Sequence, residues 1–454
     1  MSKISVDFSE VKGKIKPMHA VGQPPFKSAT NNIHFWPLKW LNEANIPYSR
    51  LHDVGGPFGG NRFVDIPNIF RNFDADVYDP ESYDFVFTDV LLKGMAEYDI
   101  KPIFRLGVTI ENQCNFKAYH IHPPKDYKKW AKICEHIIRH YNEGWANGFE
   151  YGIEYWEIWN EPENRHHPRL NQMWTGTATE YYELYDVTSK HLKDCFGDKI
   201  KVGGYAATGF YHIFSEPEKY NMDIEKRDGS RYTGDNEEYR MKFLYGFFDY
   251  IKEHNSPIDF FSWHSYVGAE DTAIMAQFVE KFLNEKGYGN LETMLNEWNN
   301  AARIEGSLGT DFASAEAASM LLAMQNTSTD MLCYYDTRMV TSTYAGMFDG
   351  MNNTVRTLYY SFKAFGQLYK MGTQVKCESD TQQLYAVAAT DGENKGIMIS
   401  NTTGEDKKIE TNLEDGFSVY LVGDGYNLEK ADLDAKKFTL KENCVAYIST
   451  EGLI

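Results

Sequence analysis

The chain has 454 residues, which suits a large α/β barrel with a smaller appended domain. Its formal charge of −19 gives an acidic surface that repels nucleic-acid phosphates and anionic membranes, so we expect neither nucleic acid nor membrane as a partner. The aromatic content of 15% is high. Aromatic side chains stack on sugar faces, although most of them must lie in the core.

The cysteines and the first residues indicate a cytoplasmic protein. Six cysteines lie far apart without a CxxC pair, so we expect free thiols in a reducing compartment. The opening sequence MSKISVDFSEVKGK lacks the apolar segment of a signal peptide, and no run of about 18 apolar residues occurs anywhere.

Eight strand-like runs alternate with segments of helical length, which is typical of repeated βα units in a parallel sheet. The helical period is clearest over residues 126–142, where apolar side chains follow one face. We therefore predict an α/β fold, a (β/α)8 TIM barrel over residues 14–372. The strand candidates are residues 17–22, 47–54, 101–107, 155–161, 201–207, 259–266, 291–297 and 331–338.

The composition changes after Met371. Residues 373–454 contain short alternating strands separated by turns such as DGEN and GDGYN, which predicts a C-terminal antiparallel β-sandwich domain. The run ISVDF near the N-terminus is also strand-like. We expect residues 1–13 to add a strand to the C-terminal sheet.

Two glutamates follow the ends of predicted strands. The run YWEIWNEPE is apolar and aromatic up to Asn160 and Glu161, and the next residue is a proline, which ends the strand. The run LETMLNEWNN has the same order and reaches Asn296 and Glu297. Barrels of this class keep their chemistry at the carboxyl ends of the strands, and two carboxylates are what glycosidic bond hydrolysis requires.

These motifs resemble those of glycoside hydrolase family 39, the β-xylosidase and α-L-iduronidase family of the (β/α)8 clan A of retaining glycosidases. EIWNEP is similar to the acid/base strand of that family, and Asn296-Glu297-Trp298-Asn299 to its nucleophile strand. FFSWHSY is similar to its sixth strand, YSRLH to its second, and the appended sandwich is also shared, so the resemblance covers essentially the whole chain. Glu163 and Asn296 depart from the family, which commonly has Asn and Thr at these places.

The resemblance implies that Glu161 is the general acid and Glu297 the nucleophile. A general acid needs a raised pKa, which burial and a neighbouring carboxylate provide. Arg50 and Tyr266 end the second and sixth strands, and they are the expected donors that keep Glu297 ionised. Asn160 is expected to bind the sugar 2-hydroxyl.

Three further residues are candidates for substrate binding. His52 and His264 are placed to bind hydroxyls of the sugar that is removed. Trp298 fits either a wall of the pocket or the core. Arg50, His52, Asn160, His264, Tyr266 and Trp298 together form the predicted substrate-binding set.

We predict a retaining exo-glycosidase that removes a terminal pentose, with β-xylose as the first candidate, from short oligosaccharides by double displacement. No metal or organic cofactor is implied. The alternatives within the family are an α-L-arabinosidase, an α-L-iduronidase and an endo-glycosidase. An acidic sugar would need a cation near the reacting position. Arg105, Arg303 and Arg338 lie near predicted strand ends, so an acidic sugar remains an alternative substrate.

The alternative from another class is a catalytically inactive carbohydrate-binding barrel. Loss of either carboxylate would indicate it, and both Glu161 and Glu297 are present. Family members are commonly dimers or tetramers, so the resemblance implies a homo-oligomer. The segment of residues 55–78 after the second strand decides between exo action, if it closes the pocket, and endo action.

Overall fold

The computed structural model describes residues 1–25, 37–54, 62–110, 120–301, 304, 306–339, 344, 346–350 and 352–453. It contains a closed eight-stranded barrel and a separate nine-stranded sheet. The predicted fold class is thereby confirmed. Each of the eight predicted strand runs overlaps one strand of the barrel.

All neighbouring strands of the barrel pair in parallel. Their bounds are β2 (Ala20–Gly22), β3 (Tyr48–Leu51), β4 (Lys101–Leu106), β5 (Tyr155–Ile158), β6 (Lys201–Ala207), β7 (Phe260–Ser265), β8 (Glu292–Trp298) and β9 (Met331–Tyr334).

The inside of the barrel changes from apolar to polar along the strands. Near the amino ends, side chains from several strands form one buried apolar cluster that includes Tyr155, Phe260 and Met294. Two residues further along the same strands, the side chains of Glu157, Ser262 and Asn296 point to the same side, because side chains alternate with a period of two. The carboxyl ends therefore form the polar end of the barrel.

The helices follow the strands around the outside of the barrel. Their bounds are α1 (Pro37–Glu43), α2 (Ile66–Ile69), α3 (Val86–Glu97), α4 (Tyr127–Asn142), α5 (Ala178–Phe196), α6 (Asp235–His254), α7 (Ala269–Lys286), α8 (Asp311–Gln325) and α9 (Thr357–Met371). Short 3-10 helices cover Pro80–Ser82, Gly197–Lys199, Tyr211–Phe214 and Pro217–Tyr220. Over the described ranges, none of the helices combines the length and the apolar character that a membrane span needs.

The second sheet contains β1 (Ser2–Lys14) between β12 (Thr373–Ser379) and β15 (Lys407–Thr411). Its neighbours pair in antiparallel fashion except β1 and β15, which are parallel. The other members are β13 (Leu384–Thr390), β14 (Lys395–Asn401), β16 (Ser418–Gly423), β17 (Tyr426–Ala431), β18 (Lys437–Leu440) and β19 (Val445–Ser449). A separate hairpin pairs β10 (Phe348–Asp349) with β11 (Thr354–Val355).

Side chains on one face of this sheet pack together into a separate apolar core, and the other face packs on the barrel. Ile4, Ile409 and Ile448 belong to the internal core, so strands from both halves of the sheet meet there. Toward the barrel, the Ser400 hydroxyl donates to the carbonyl oxygen of Ala315 in α8 over 2.8 Å. The domain boundaries at residues 13/14 and 372/373 stay a prediction.

The last helix, α9, closes the outer layer by lying directly against the end of α1. A Cβ atom at Gly366 would lie 2.1 Å from the carbonyl oxygen of Ala44, and that oxygen is backbone that cannot rotate away. We expect Gly366→Ala to lower the free energy of unfolding by about 1–3 kcal/mol, the usual cost of overpacking. Denaturant unfolding measures this loss.

Gly268→Ala is the matched control, because a Cβ atom there has no neighbour within 4 Å. Equal stability of the Gly366→Ala variant and this control would contradict the close packing of α9 on α1.

Candidate active site

A cavity of about 560 Å³ lies at the carboxyl ends of the barrel strands. Four of its lining residues lie at the ends of barrel strands. His52, Glu161 and Tyr266 follow β3, β5 and β7, and Glu297 is the last residue but one of β8. Asn160 also lines it. The structure thus brings five of the eight predicted site residues to one cavity.

Below the cavity floor, Arg50 joins three acceptors from β5, the turn after β5 and β8. Its Nε and one terminal nitrogen donate to Glu157 Oε2 over 2.8 and 2.6 Å. The same terminal nitrogen donates to Asn160 Oδ1 over 2.6 Å, and the other donates to Glu297 Oε2 over 3.1 Å. Arg50 is 1% exposed and Glu157 fully buried, so water does not screen these contacts.

A β-bulge in β8 turns two successive side chains toward this network. The pairing of β7 with β8 shifts after Trp263. His264 therefore lies opposite Glu297, and Asn296 has no residue opposite it in β7. Asn296 donates to Glu157 Oε1, which also accepts from the Ser262 hydroxyl. Without the bulge, Asn296 and Glu297 would point to opposite faces.

Glu297 accepts a hydrogen bond on each oxygen. Tyr266 donates its hydroxyl to Oε1, and Arg50 donates to Oε2. Burial and the charge of Glu161 raise the pKa of Glu297, while His264, Arg50 and Tyr266 act in the opposite direction. The expected donors, Arg50 and Tyr266, are both in place.

Glu161 follows β5 in a tight turn. Trp159 and Glu161 both have positive φ values, 73° and 43°, which few residues other than glycine adopt. His264 Nδ1 lies 2.7 Å from Glu161 Oε1, and Asn164 donates to Oε2 over 2.7 Å.

The pKa of Glu161 differs from the sequence-based expectation. Burial raises it, but the hydrogen bond and charge of His264 and the Asn164 amide outweigh burial, so the pKa of Glu161 is lowered. In turn, the charges of Glu297 and Glu161 outweigh burial and raise the pKa of His264. The expectation of a raised pKa for Glu161 overlooked these two donors.

The two candidate carboxylates are close together. One oxygen of Glu161, one oxygen of Glu297 and one ring nitrogen of His264 lie within 4.8 Å of one another. Such a spacing also suits metal ligands, but here the oxygens already accept from Arg50, Tyr266 and Asn164. Glu135, His191 and Cys195 form a second group with this spacing, in which Arg139 and Lys132 contact Glu135.

The comparisons with known proteins agree with this geometry. Residues 46–302, more than half of the chain, match the sequence profile of Glycosyl hydrolases family 39. The chain belongs to this family. The members of this family are glycoside hydrolases, which act on carbohydrates.

Among curated relatives, a β-xylosidase of Geobacillus stearothermophilus is 25% identical over 220 residues, which cover 46% of this chain and 35% of that protein. The matched region thus spans about a third of the relative's length.

Solved structures share the whole fold. A glucosidase of Croceicoccus marinus has a TM-score of 0.74 at 20% identity and covers 99% of this chain and 98% of its own. A family 39 β-xylosidase of Caulobacter crescentus has a TM-score of 0.66 at 16% identity, with 98% and 99% covered.

Three predicted substrate-binding residues do not line the cavity, and their roles in substrate binding stay predictions. Arg50 and His264 are buried beneath the carboxylates and contact those instead. Trp298 points out of the barrel, because side chains alternate after Glu297, and it packs on Tyr334 and Phe362 in the core.

The three arginines near strand ends have different surroundings. Arg105 pairs with Asp65, and Arg338 pairs with Asp336. Arg303 lies outside the described residues, as do residues 55–61 of the segment that was expected to decide between exo and endo action.

The sequence analysis missed several polar residues of the site. Glu157 carried a signal, since it is a charge within a buried strand, which needs partners. Asp53 accepts from the Tyr335 hydroxyl over 2.9 Å, and burial raises its pKa to about 6. His52 contacts Asp53, and burial together with the charge of Arg50 holds the pKa of His52 well below its ordinary value.

Glu163 is a further buried carboxylate near Glu161. Its Oε1 accepts from the backbone nitrogen and hydroxyl of Thr208 over 2.7 and 2.9 Å, and its Oε2 is buried without a partner among the described residues. Burial, aided by the charge of Glu161, raises the pKa of Glu163 to about 7. This is the position at which the family commonly has Asn.

The raised pKa of Glu163 makes stability depend on pH. A glutamate in an unfolded chain titrates near about 4.3, so the folded state holds the extra proton and its stabilisation is lost as the pH rises toward about 7. Glu163→Gln removes this loss. The difference in melting temperature, variant minus wild type, should therefore be larger at pH 8 than at pH 5, and we expect it to increase by ~2 °C or more.

Glu218→Gln, at an exposed glutamate, serves as the control and should show a difference that is independent of pH. A pH-independent difference for Glu163→Gln as well would contradict the assignment.

Proposed function

We propose that this chain is a retaining exo-glycosidase that removes a terminal neutral pentose, with β-xylose as the first candidate, by double displacement without a cofactor. The observation that carries the proposal is the approach of Glu161 and Glu297 to within 4.8 Å at the end of the barrel. Retaining enzymes hold their carboxyl groups about 5–5.5 Å apart, whereas inverting enzymes need about 6.5–9.5 Å to admit a water molecule.

In the first step, Glu297 attacks the anomeric carbon and forms a glycosyl ester. Arg50 and Tyr266 bind its two oxygens, which orients the carboxylate and favours its ionised form. Because Arg50 also binds Asn160, the same guanidinium fixes the amide that we place at the sugar 2-hydroxyl. Nucleophile and substrate amide are thus positioned by one buried group.

The proton for the leaving oxygen comes from the pair formed by Glu161 and His264. Their 2.7 Å contact holds one proton between Oε1 and Nδ1. When Glu161 donates to the glycosidic oxygen, the bond to the leaving sugar breaks. In the second step Glu161 takes a proton from water, which attacks the ester and releases the sugar.

A neutral sugar at the reacting position agrees with the paired arginines. Arg105 and Arg338 each have a carboxylate partner and do not line the cavity, which disfavours an iduronate there. The relatives named β-xylosidases favour xylose, and the Croceicoccus marinus glucosidase makes glucose the second candidate. Exo action, a homo-oligomer and a cytoplasmic location stay predictions.

A panel of p-nitrophenyl glycosides tests the activity. It contains the β-xyloside, both arabinosides, the β-galactoside and the β-glucoside. We expect release of p-nitrophenol from the β-xyloside above all others. Preference for the β-glucoside would support the second candidate, and silence across the panel would contradict the proposed function.

Replacing the nucleophile should stop the first step. We expect Glu297→Gly to lower kcat by at least about 10⁴-fold and azide to restore turnover, with a glycosyl azide of inverted configuration as the product. Glu292→Gly is the control at the start of the same strand, where the side chain pairs with Lys201 instead. Formation of a glycosyl azide by Glu292→Gly but not by Glu297→Gly would show that Glu297 is not the nucleophile.

The acid matters only when the leaving group needs a proton. We expect Glu161→Ala to lower kcat/KM for an unactivated disaccharide about 10²–10⁴-fold and that for a dinitrophenyl glycoside far less. Parallel kinetics on the two substrates measure the difference. Equal losses on both would assign the acid to another residue.

A further inference from the structure

The charged residues that line the cavity fall into two groups. The carboxylates all accept hydrogen bonds, and Glu237 accepts from Arg240 over 2.5 Å. Arg165 and Arg231 differ, because neither side chain has an acceptor in the part of the chain that the structure describes. Both side chains are solvent-exposed, so their guanidinium groups are accessible to a ligand, and they place positive charge at this cavity in a protein with a formal charge of −19.

Both arginines lie on one wall. Arg165 comes four residues after Glu161, and Arg231 lies between β6 and α6. The two segments are joined, because the backbone nitrogen and Nδ1 of His166 contact Asn236 Oδ1 over 3.0 and 2.7 Å.

This wall belongs to the acid side of the site. Glu161 protonates the leaving oxygen, so the sugar that departs lies next to the segment that carries Glu161 and Arg165. Gln172 and Ser230 line the cavity together with the two arginines, which adds hydrogen-bonding groups that suit a sugar.

Resting on the function proposed above, we infer that the leaving-group side binds a sugar that carries a carboxylate. The substrate is then an acidic oligosaccharide, in which a neutral terminal sugar is attached to a uronic acid. A planar guanidinium group matches a carboxylate with two parallel hydrogen bonds, which gives orientation as well as attraction. Local positive charge also offsets the unfavourable approach of an anion to an acidic protein.

Two disaccharides of identical linkage test this inference. Both carry the neutral sugar that the aryl panel identifies, and the leaving sugar is either neutral or its uronic acid. We expect kcat/KM at low salt to favour the acidic disaccharide about 10-fold or more, as for a hydrogen bond to a charged group. The preference should fall as the ionic strength rises.

The double variant Arg165→Gln, Arg231→Gln should lower the ratio of the two kcat/KM values to near one. Arg169→Gln is the matched control, since Arg169 is exposed on the same segment but does not line the cavity, and it should keep the preference. A wild-type ratio near one, or a double variant that keeps the preference, would overturn the inference.

A third disaccharide with a sulfate ester on the leaving sugar distinguishes a carboxylate site from a general anion site. We expect the carboxylate to be preferred, and an equal or larger preference for sulfate would overturn the assignment to uronic acids. The aryl glycosides separate this inference from the proposed function. Turnover of an aryl glycoside without a preference for the acidic disaccharide refutes the inference alone, and silence on all substrates refutes both.

Discussion

The active site depends on one buried cation. Arg50 contacts Glu157, Asn160 and Glu297, which come from strands β5 and β8 and the turn after β5. A buried guanidinium is stable only when its hydrogen-bonding groups are satisfied, and breaking such a pair typically costs about 3–5 kcal/mol. Because breaking this network is costly, it fixes the geometry of Asn160 and Glu297, which we propose to bind and attack the sugar.

Around this centre, backbone irregularities place the reactive groups. The bulge at Asn296 allows Asn296 and Glu297 to face the same side, and positive φ values at Trp159 and Glu161 lift Glu161 above the strand end. Such features are costly in isolation and occur where the surrounding structure holds them. Here the surrounding structure is the ion-pair network below and the hydrogen bonds of Glu161 above.

Much of this architecture could be predicted from sequence. The eight runs of buried strands and the Asn-Glu pairs at two strand ends identify the barrel and the two carboxylates, because both follow from local patterns. Arg50 and Tyr266 were predicted as donors to Glu297, but Asn164, Thr208 and Tyr335 could not be predicted as partners, since they are ordinary polar residues until the fold brings them to a carboxylate. The sequence left Trp298 open between a wall of the pocket and the core, because the bulge in β8 that turns it into the core cannot be read from the alternation of residues.

Whether the reaction passes through an ester on Glu297 is the central claim of this account. Proton NMR of the sugar released from a β-xyloside, recorded before mutarotation, measures it directly. The spacing of Glu161 and Glu297 predicts that the β-anomer appears first and the α-anomer only later. Initial release of the α-anomer would show inversion by a single displacement and would contradict the proposed role of Glu297.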